Sequence, residues 1–582
     1  MSWEVSAMKS GRSFCSIPIF RKNCARFWPL CGGFFLLLTV YVLRFADGGP
    51  GMTSSPAANF LDSVNGMMIA WLPLYGLMCG VLFLGYLFQT GSTQAYHSMP
   101  LRRGTLLGTA ILSGLVFLLA PLALAAALAY LLIPGCTTEP LEWAAVLGIV
   151  SFYAFALSCL SAVLTGTRPG AVLVFVVFLI GAPSLEAMGK AAVLPLLRGL
   201  VYPGTVLRWL CPPIMLLELA DVVEGHFALR LWPYLAAVAG GALALLGLAW
   251  FLYRRRKSEG AGDFVAARWL RPVIRYGLTF LGGLGLGELL SLLLGGEWKG
   301  ELGATMVFLL TGVLVARLTA EMLLARSVRV FQARRLVSYG LCLALTGGAL
   351  LAVDGDILGL ETRIPAPEQI SQATLSVGVY PTGAPVSDPE ELREITELHR
   401  LVLEHQNGQK GKTCRAYFSY RLTGGETMIR QYRLIFSGQE MAQENGLYRK
   451  LSEFFHRPEQ VLAGLAGPDA TQEELRQQIV SCAVYDGRGE PVDLTGNLDS
   501  LQARELWDRA WQDICNGDLY LDDGYGMDGS FGAITLEFQL QERAGEVAPH
   551  ASIYLELLSD SRNTMEYLTG LAQHETAGAS ER

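Results

Sequence analysis

The chain has no Cys-x-x-Cys pair, no His-Glu-x-x-His, no Gly-x-Ser-x-Gly and no phosphate loop of the form GxxxxGK[ST]. The first absence leaves its eleven cysteines without zinc or iron–sulfur spacing, and the dispersal of its seven histidines leaves no paired metal ligands. The third leaves no hydrolase nucleophile elbow. "QNGQKGKT", residues 406–413, comes nearest to a nucleotide loop, but Gln406 stands where the first glycine is needed and a helical pattern leads into it. Charge is scarce too, at 17% of residues, and the acidic half keeps only Cys414, Cys482 and Cys515, enough for at most one internal disulfide.

What fills the space is apolar. Hydrophobic residues make up 52% of 582, and the mean hydropathy is +0.36. The charge is divided unevenly: residues 1–354 carry 26 Lys and Arg against 16 Asp and Glu, and residues 355–582 carry 19 against 36. A basic, apolar half is joined to an acidic half of soluble-domain composition.

A helix crossing the hydrocarbon core needs about 20 apolar residues. Nine stretches qualify: 27–46, 64–89, 105–133, 142–165, 170–189, 230–253, 273–294, 302–325 and 336–354. Basic residues before the first, with Arg44 at the place where a cleavage site wants a small residue, make it an uncleaved signal anchor. With the N-terminus inside, 19 basic residues fall in cytoplasmic segments and six in or beside external ones. Nine crossings then put the acidic domain outside, in the cell membrane's extracytoplasmic space, a placement that depends on the parity of the count.

Between the second and third spans lies "QTGSTQAYHSMPLRRGTLLG", residues 89–108. Pro100 disfavours helix at Met99 and favours a fresh start at Leu101. By composition alone this is a stop-transfer tip, with Arg102 and Arg103 fixing topology. "YHSMPLRRGTLLGTAILSG" also resembles the loop after the second span in permeases of ABC type-2 exporters, and "IFRKNCARFWPL" is similar to their basic amphipathic lead-in. The resemblance covers residues 20–255 best. It implies that Tyr96, His97, Ser98, Met99, Pro100, Arg102 and Arg103 form the surface that seats on a separate cytoplasmic ABC ATPase subunit. It also implies that ATP binds that partner, with no cofactor in this chain, and that a second permease copy or a related permease completes the transporter. The excursion 190–225, broken by Pro195, Pro203, Pro212 and Pro213, resembles the short re-entrant helices of such exporters; an amphipathic loop on the outer leaflet is the other reading.

Ionisable residues inside spans are costly and point to function. Arg317 and Glu321 are four residues apart and share a helix face as an ion pair or gating contact. Glu186 and Glu288 show no partner in sequence; either lines a polar path or snorkels to the surface. The apolar spans favour an amphiphilic or lipid-like cargo, and nothing points to nucleic acid.

Past "ETRIPAP" the period changes to short strands and amphipathic helices. Strands are expected at 374–380, 414–422, 427–436, 479–486, 532–540 and 551–558. Helices are expected at 388–406, across "MAQENGLYRKLSEFF", at 498–517 and across "NTMEYLTGLAQ". "LYLDDGYGMDG" (519–529) clusters Asp522, Asp523 and Asp528, a solvated acidic turn in preference to a Ca²⁺ loop.

The expected fold is an α-helical polytopic membrane protein of about nine spans followed by an α+β domain of two βαββα repeats. Its parts are a cytoplasmic lead-in (1–26), a six-span permease core (27–255), three further spans (256–354), a linker (355–365) and an extracytoplasmic domain (366–582). The expected function is that of a non-enzymatic exporter permease working by alternating access. The alternative is a membrane-anchored envelope sensor or accessory protein whose external domain binds a ligand; a membrane enzyme would need a catalytic constellation that the sequence does not offer.

Overall fold

The computed structural model describes residues 15–46, 60–61, 67–133, 135–201, 205–223, 226–256, 260–295, 301–325, 327, 333–357, 359–377, 384–406, 411–443, 445–455, 457, 459–462, 471–485, 498–516, 533–540, 552–558 and 561–580. The acidic turn 519–529 and much of "QNGQKGKT" lie outside them. The chain divides into two compact units. One is Met1–Leu196 with Pro203–Leu351; the other is Leu197–Tyr202 with Ala352–Arg582.

The first unit is helical: α1 (Ile17–Ala46), α2 (Met67–Phe83), α3 (Thr90–His97), α4 (Arg103–Leu132), α5 (Glu139–Leu164), α6 (Arg168–Val193), α7 (Pro212–Leu219), α8 (Leu231–Arg255), α9 (Arg271–Leu294), α10 (Leu302–Ala325) and α11 (Ala333–Asp354). Among the described residues eight helices are long and apolar enough to cross a membrane: α1, α4, α5, α6, α8, α9, α10 and α11. The second expected span contains a shorter apolar helix, Ala70–Phe83. This is the pattern of a multi-pass membrane protein.

Helix α5 is the hub, packed against α2, α4, α6 and α8, and its Trp143, Phe155 and Leu147 are fully buried. Small residues permit the closest crossings. A side chain on Gly76 would meet Ala154, and one on Gly80 would meet Ser158, whose hydroxyl donates to the Leu77 carbonyl at 3.0 Å. Helix α1 is fastened to α4 by polar contacts from its amphipathic start: Ser16 N–H to Thr109 Oγ1 (2.9 Å) and Asn23 Nδ2 to Ser113 Oγ (3.1 Å). Helices α9 and α10 meet through Gly283, Gly287 and Gly312, where any Cβ would strike the opposing backbone.

The excursion after α6 forms short pieces, including α7 with prolines at its first two positions. Cys211, Pro212, Pro213, Met215 and Leu216 are buried inside the unit, while Trp209, Leu210 and Leu217 are exposed. The hairpin β1 (Val222–Val223) and β2 (His226–Phe227) follows, pinned to the start of α5 because Glu142 accepts from the Phe227 N–H (3.2 Å) and contacts His226 Nδ1 (2.7 Å).

The second unit holds two antiparallel three-stranded sheets, β3 (Ile370–Val377), β4 (Lys412–Leu422), β5 (Thr427–Phe436), and β6 (Ile479–Tyr485), β7 (Ala533–Leu540), β8 (Ser552–Leu558), each in sequential order. Helices α12 (Pro389–Glu404), α13 (Gly438–Met441) and α14 (Leu447–Phe455) accompany the first; α15 (Gln472–Gln478), α16 (Ser500–Cys515) and α17 (Arg562–Ser580) accompany the second. The two halves match in detail. Both first strands bulge one residue in, between Ile370 and Gln372 and between Ile479 and Ser481. Both bridge to the residue ahead of the helix, Ala373 to Val386 and Cys482 to Leu498, and both helices begin at an aspartate N-cap, Asp388 and Asp499. One core joins the halves, from Phe418, Tyr420 and Phe436 to Trp507, Phe538 and Leu555.

One expected helix is divided. "MAQENGLYRKLSEFF" becomes α13, closed by a Ser437–Glu440 capping box, and α14, with the break falling before Gly446. The buried Asp513 carboxylate, near the end of α16, accepts from the Asn563 and Thr564 backbone and side chains at 2.7–3.1 Å and so caps α17.

Candidate functional site: the polar end around residues 85–103

After α2 the chain makes a single 3-10 turn at Gly85–Phe88 and enters α3. Thr93, almost fully buried, donates to the carbonyls of Tyr86 and Gln89, both at 2.8 Å, which folds α3 back on the turn. Tyr96 stacks on Tyr86 at 4.7 Å between centroids. The Tyr86 hydroxyl meets the Tyr253 hydroxyl at 2.8 Å, and His97 Nε2 reaches the same Tyr253 oxygen at 3.4 Å. Burial, reinforced by the Arg103 and Arg256 cations, lowers the His97 pKa, so the ring is neutral at physiological pH.

Past His97 the chain turns through Ser98, Met99 and Pro100, and Arg102 takes the extended conformation that starts α4. Arg103 Nη1 donates to the Arg256 carbonyl at 2.9 Å. Arg256 holds the arrangement together: Nη1 donates to the carbonyls of Ala162 (2.7 Å) and Val163 (2.8 Å), and Nη2 to that of Leu87 (3.0 Å). Its guanidinium thus satisfies orphan carbonyls at the end of α5 and ties them to the turn ahead of α3. A third loop joins through backbone pairs, Gly166 N–H to the Asp263 carbonyl (2.9 Å) and Gly262 N–H to that of Gly166 (2.8 Å). A Cβ on Gly166 would strike Asp263 and Gly260, so the contact requires glycine.

The seven residues expected at this surface separate into two groups. Ser98, Met99, Pro100, Arg102 and Arg103 are exposed; Tyr96 and His97 are half-buried and face Tyr86 and Tyr253. Sequence reasoning missed the supports Tyr86, Tyr253 and Arg256. Arg256 lies in "RRRK" (254–257), a run whose charge already counts toward the basic cytoplasmic total.

The charges inside the apolar helices are also placed. Arg317 and Glu321 pair at 3.0 Å, both almost fully buried, and Arg275 of α9 approaches Glu321 at 3.1 Å. Arg317 donates to Ser338 Oγ of α11 (2.8 Å) and its guanidinium lies 5.2 Å from the Tyr276 ring centroid and 5.4 Å from that of Tyr339. The cluster therefore ties three helices together. Glu186, expected to stand without a partner, pairs with Lys190 four residues on at 2.6 Å and accepts from the N–H groups of Val206 (2.8 Å) and Leu207 (2.7 Å). It caps the 3-10 turn Val206–Leu210. Glu288 lines a small cavity between α6, α9 and α10 with Ala192, Pro195, Ser291, Thr305 and Leu309. The Arg317 cluster, Glu186 and Glu288 do not converge on one site.

No group of three or more His, Cys, Asp or Glu placed to hold a metal occurs among the described residues. No protein family, curated protein or solved structure matches the chain.

Proposed function

We propose that this protein is the membrane-embedded subunit of an ATP-driven exporter, moved by a separate nucleotide-hydrolysing subunit that seats on residues 96–103. The observation that carries the reading is the construction of that end. An exposed, basic turn is mounted on a short helix whose buried face is fixed by Thr93, Tyr96 and Arg256 to the ends of α2, α5 and α8. A push on the turn is therefore delivered to the ends of α2, α5 and α8 at once. In this reading α3 faces the cytoplasm, as the excess of basic residues there requires, and alternating access moves an amphiphilic cargo outward through tilting of the apolar helices.

The test is Arg102→Glu combined with Arg103→Glu. The charge-reversed protein is expected to insert in the membrane normally, to lose co-purification of its ATPase partner, and to lose ATP-dependent export. Unchanged export would refute the proposal. Normal behaviour together with the absence of any ATPase partner would favour the alternative, a membrane-anchored sensor that uses the α+β unit for ligand binding.

A further inference from the structure

Six residues leave the helical unit and become part of the α+β unit. The chain exits after Leu196, contributes Leu197–Tyr202 to the second unit, and returns at Pro203. The insertion is a turn at Arg198–Gly199 followed by a single bridge residue, Leu200, set against a sheet edge. Leu200 forms an antiparallel bridge with Arg430, and the Gln431 N–H donates to the Gly199 carbonyl at 3.0 Å, on the edge of β5 away from β4. The Arg198 N–H donates to Glu361 Oε1 at 2.8 Å. Arg430, only 5% exposed, turns its Nη2 to the carbonyls of Leu360 (2.7 Å) and Arg363 (3.4 Å), so the residue that receives the strap also orders the chain leading into β3. Gly199 has φ +77° and lies face-on to the Tyr432 ring, where no side chain fits.

We propose that Leu197–Val201 is a strap, a segment of the loop between α6 and α8 that is held against the free edge of β5 by a backbone bridge. The unit is attached to the helical part at three points in the chain instead of one. Backbone pairing supplies the grip, and the glycine permits the turn that brings Leu200 to the sheet edge.

The strap also fixes sidedness. Four helices long enough to cross a membrane, α8, α9, α10 and α11, lie between it and the α+β unit in sequence. An even number of crossings returns the chain to the side it left, so the strap and its receiving sheet can meet without either passing through the bilayer. This holds whether or not the short helix α2 crosses, and it does not depend on the exporter reading.

Three measurements on the full-length protein in membranes test the proposal. With Leu200→Cys and Arg430→Cys, mild oxidation should yield the 200–430 disulfide, identified by mass spectrometry of the linked peptides, as readily as the control pair Ala373→Cys and Val386→Cys within the same unit. A control that links while 200–430 does not would overturn the strap. Gly199→Val should expel the segment and raise trypsin cleavage after the exposed Arg198 at least tenfold, with the digestion pattern of residues 366–455 unchanged; an unchanged rate would overturn it. Single cysteines at Arg198 and Glu397 should be labelled from the same face of sealed vesicles, and labelling from opposite faces would overturn it.

Discussion

Replacing Arg256 by methionine keeps the length and apolar reach of the side chain and removes three hydrogen bonds, to Ala162, Val163 and Leu87. A hydrogen bond to a charged donor contributes about 1.5–3 kcal/mol when its loss leaves a buried acceptor. These carbonyls stand at helix and turn ends that water can reach once the guanidinium is gone, which reduces the combined cost to about 2–3 kcal/mol. That is a shift of roughly 100-fold in the balance between the docked and released states of residues 85–103. Arg256→Lys keeps the charge but offers a point donor in place of a planar fork, so it should fall between the two. The reporter is Thr93→Cys, at a position almost fully covered when α3 is docked. Thiol labelling of that cysteine should accelerate roughly 100-fold in the Arg256→Met background and more modestly with Arg256→Lys. Labelling unchanged to within a factor of two would show that the guanidinium does not hold the loop, and the mechanical argument for this end of the protein would fail with it.

Two further outcomes follow from buried geometry. His399 is fully buried between the Tyr420 hydroxyl (2.9 Å from Nδ1) and the Tyr432 hydroxyl (2.8 Å from Nε2), and burial together with nearby Arg430 lowers its pKa to about 3. The unfolded chain takes up a proton below its ordinary value of about 6.5 while the folded chain does not. Stability from this residue is therefore complete above about pH 6.5 and is lost as pH falls toward 3, by about 2 kcal/mol at pH 5. Amide hydrogen exchange in β4 and β5 should show that slope and His399→Phe should flatten it; equal slopes would refute the assignment. Gly312→Val drives a side chain into the Gly283 carbonyl and the Gly287 backbone, which should cost about 1–3 kcal/mol of thermal stability in detergent; an unchanged melting temperature would mean that α9 and α10 do not meet there.

The long apolar runs were legible because hydropathy and backbone helix coincide over most of each span, and boundaries at 302–325 agree with α10 to the residue. They part where the two properties differ. Helix α1 begins at Ile17, ten residues before the apolar run at 27, since Arg21, Lys22 and Arg26 are good helix formers that hydropathy scores as water-facing. The expected span 64–89 stops being α-helical at Phe83, and the chain passes through the 3-10 turn Gly85–Phe88 into α3. Side chains that act across sequence were hidden for a different reason. Arg256 sits in a run whose charge explains itself by topology, and its three acceptors are backbone carbonyls that leave no mark in a sequence. Lys190 was legible at the helical spacing from Glu186 and was overlooked; the Val206 and Leu207 donors were not legible at all.

The repeated unit sharpens the distinction between what a fold requires and what one copy has specialised. Bulge, bridge and aspartate cap recur in both halves, where they shape the path from strand to helix. The buried side chains are free to diverge. His399 and Ala510 each lie eleven residues after the capping aspartate and both are fully buried. In the second half the small Ala510 accompanies aliphatic and aromatic side chains, with Trp507 edge-on to Phe538 at 5.3 Å. In the first half the position carries an imidazole that must find both a donor and an acceptor, and it finds them in two tyrosines. One of these, Tyr432, presents its ring to Gly199, so the polar node of the first repeat stands directly behind the strap. A buried polar group that is fully satisfied fixes a unique side-chain arrangement where an apolar core would tolerate several. The first repeat carries that constraint at the sheet edge that receives the strap; the second places its buried polar group elsewhere, at Asp513 under the start of α17.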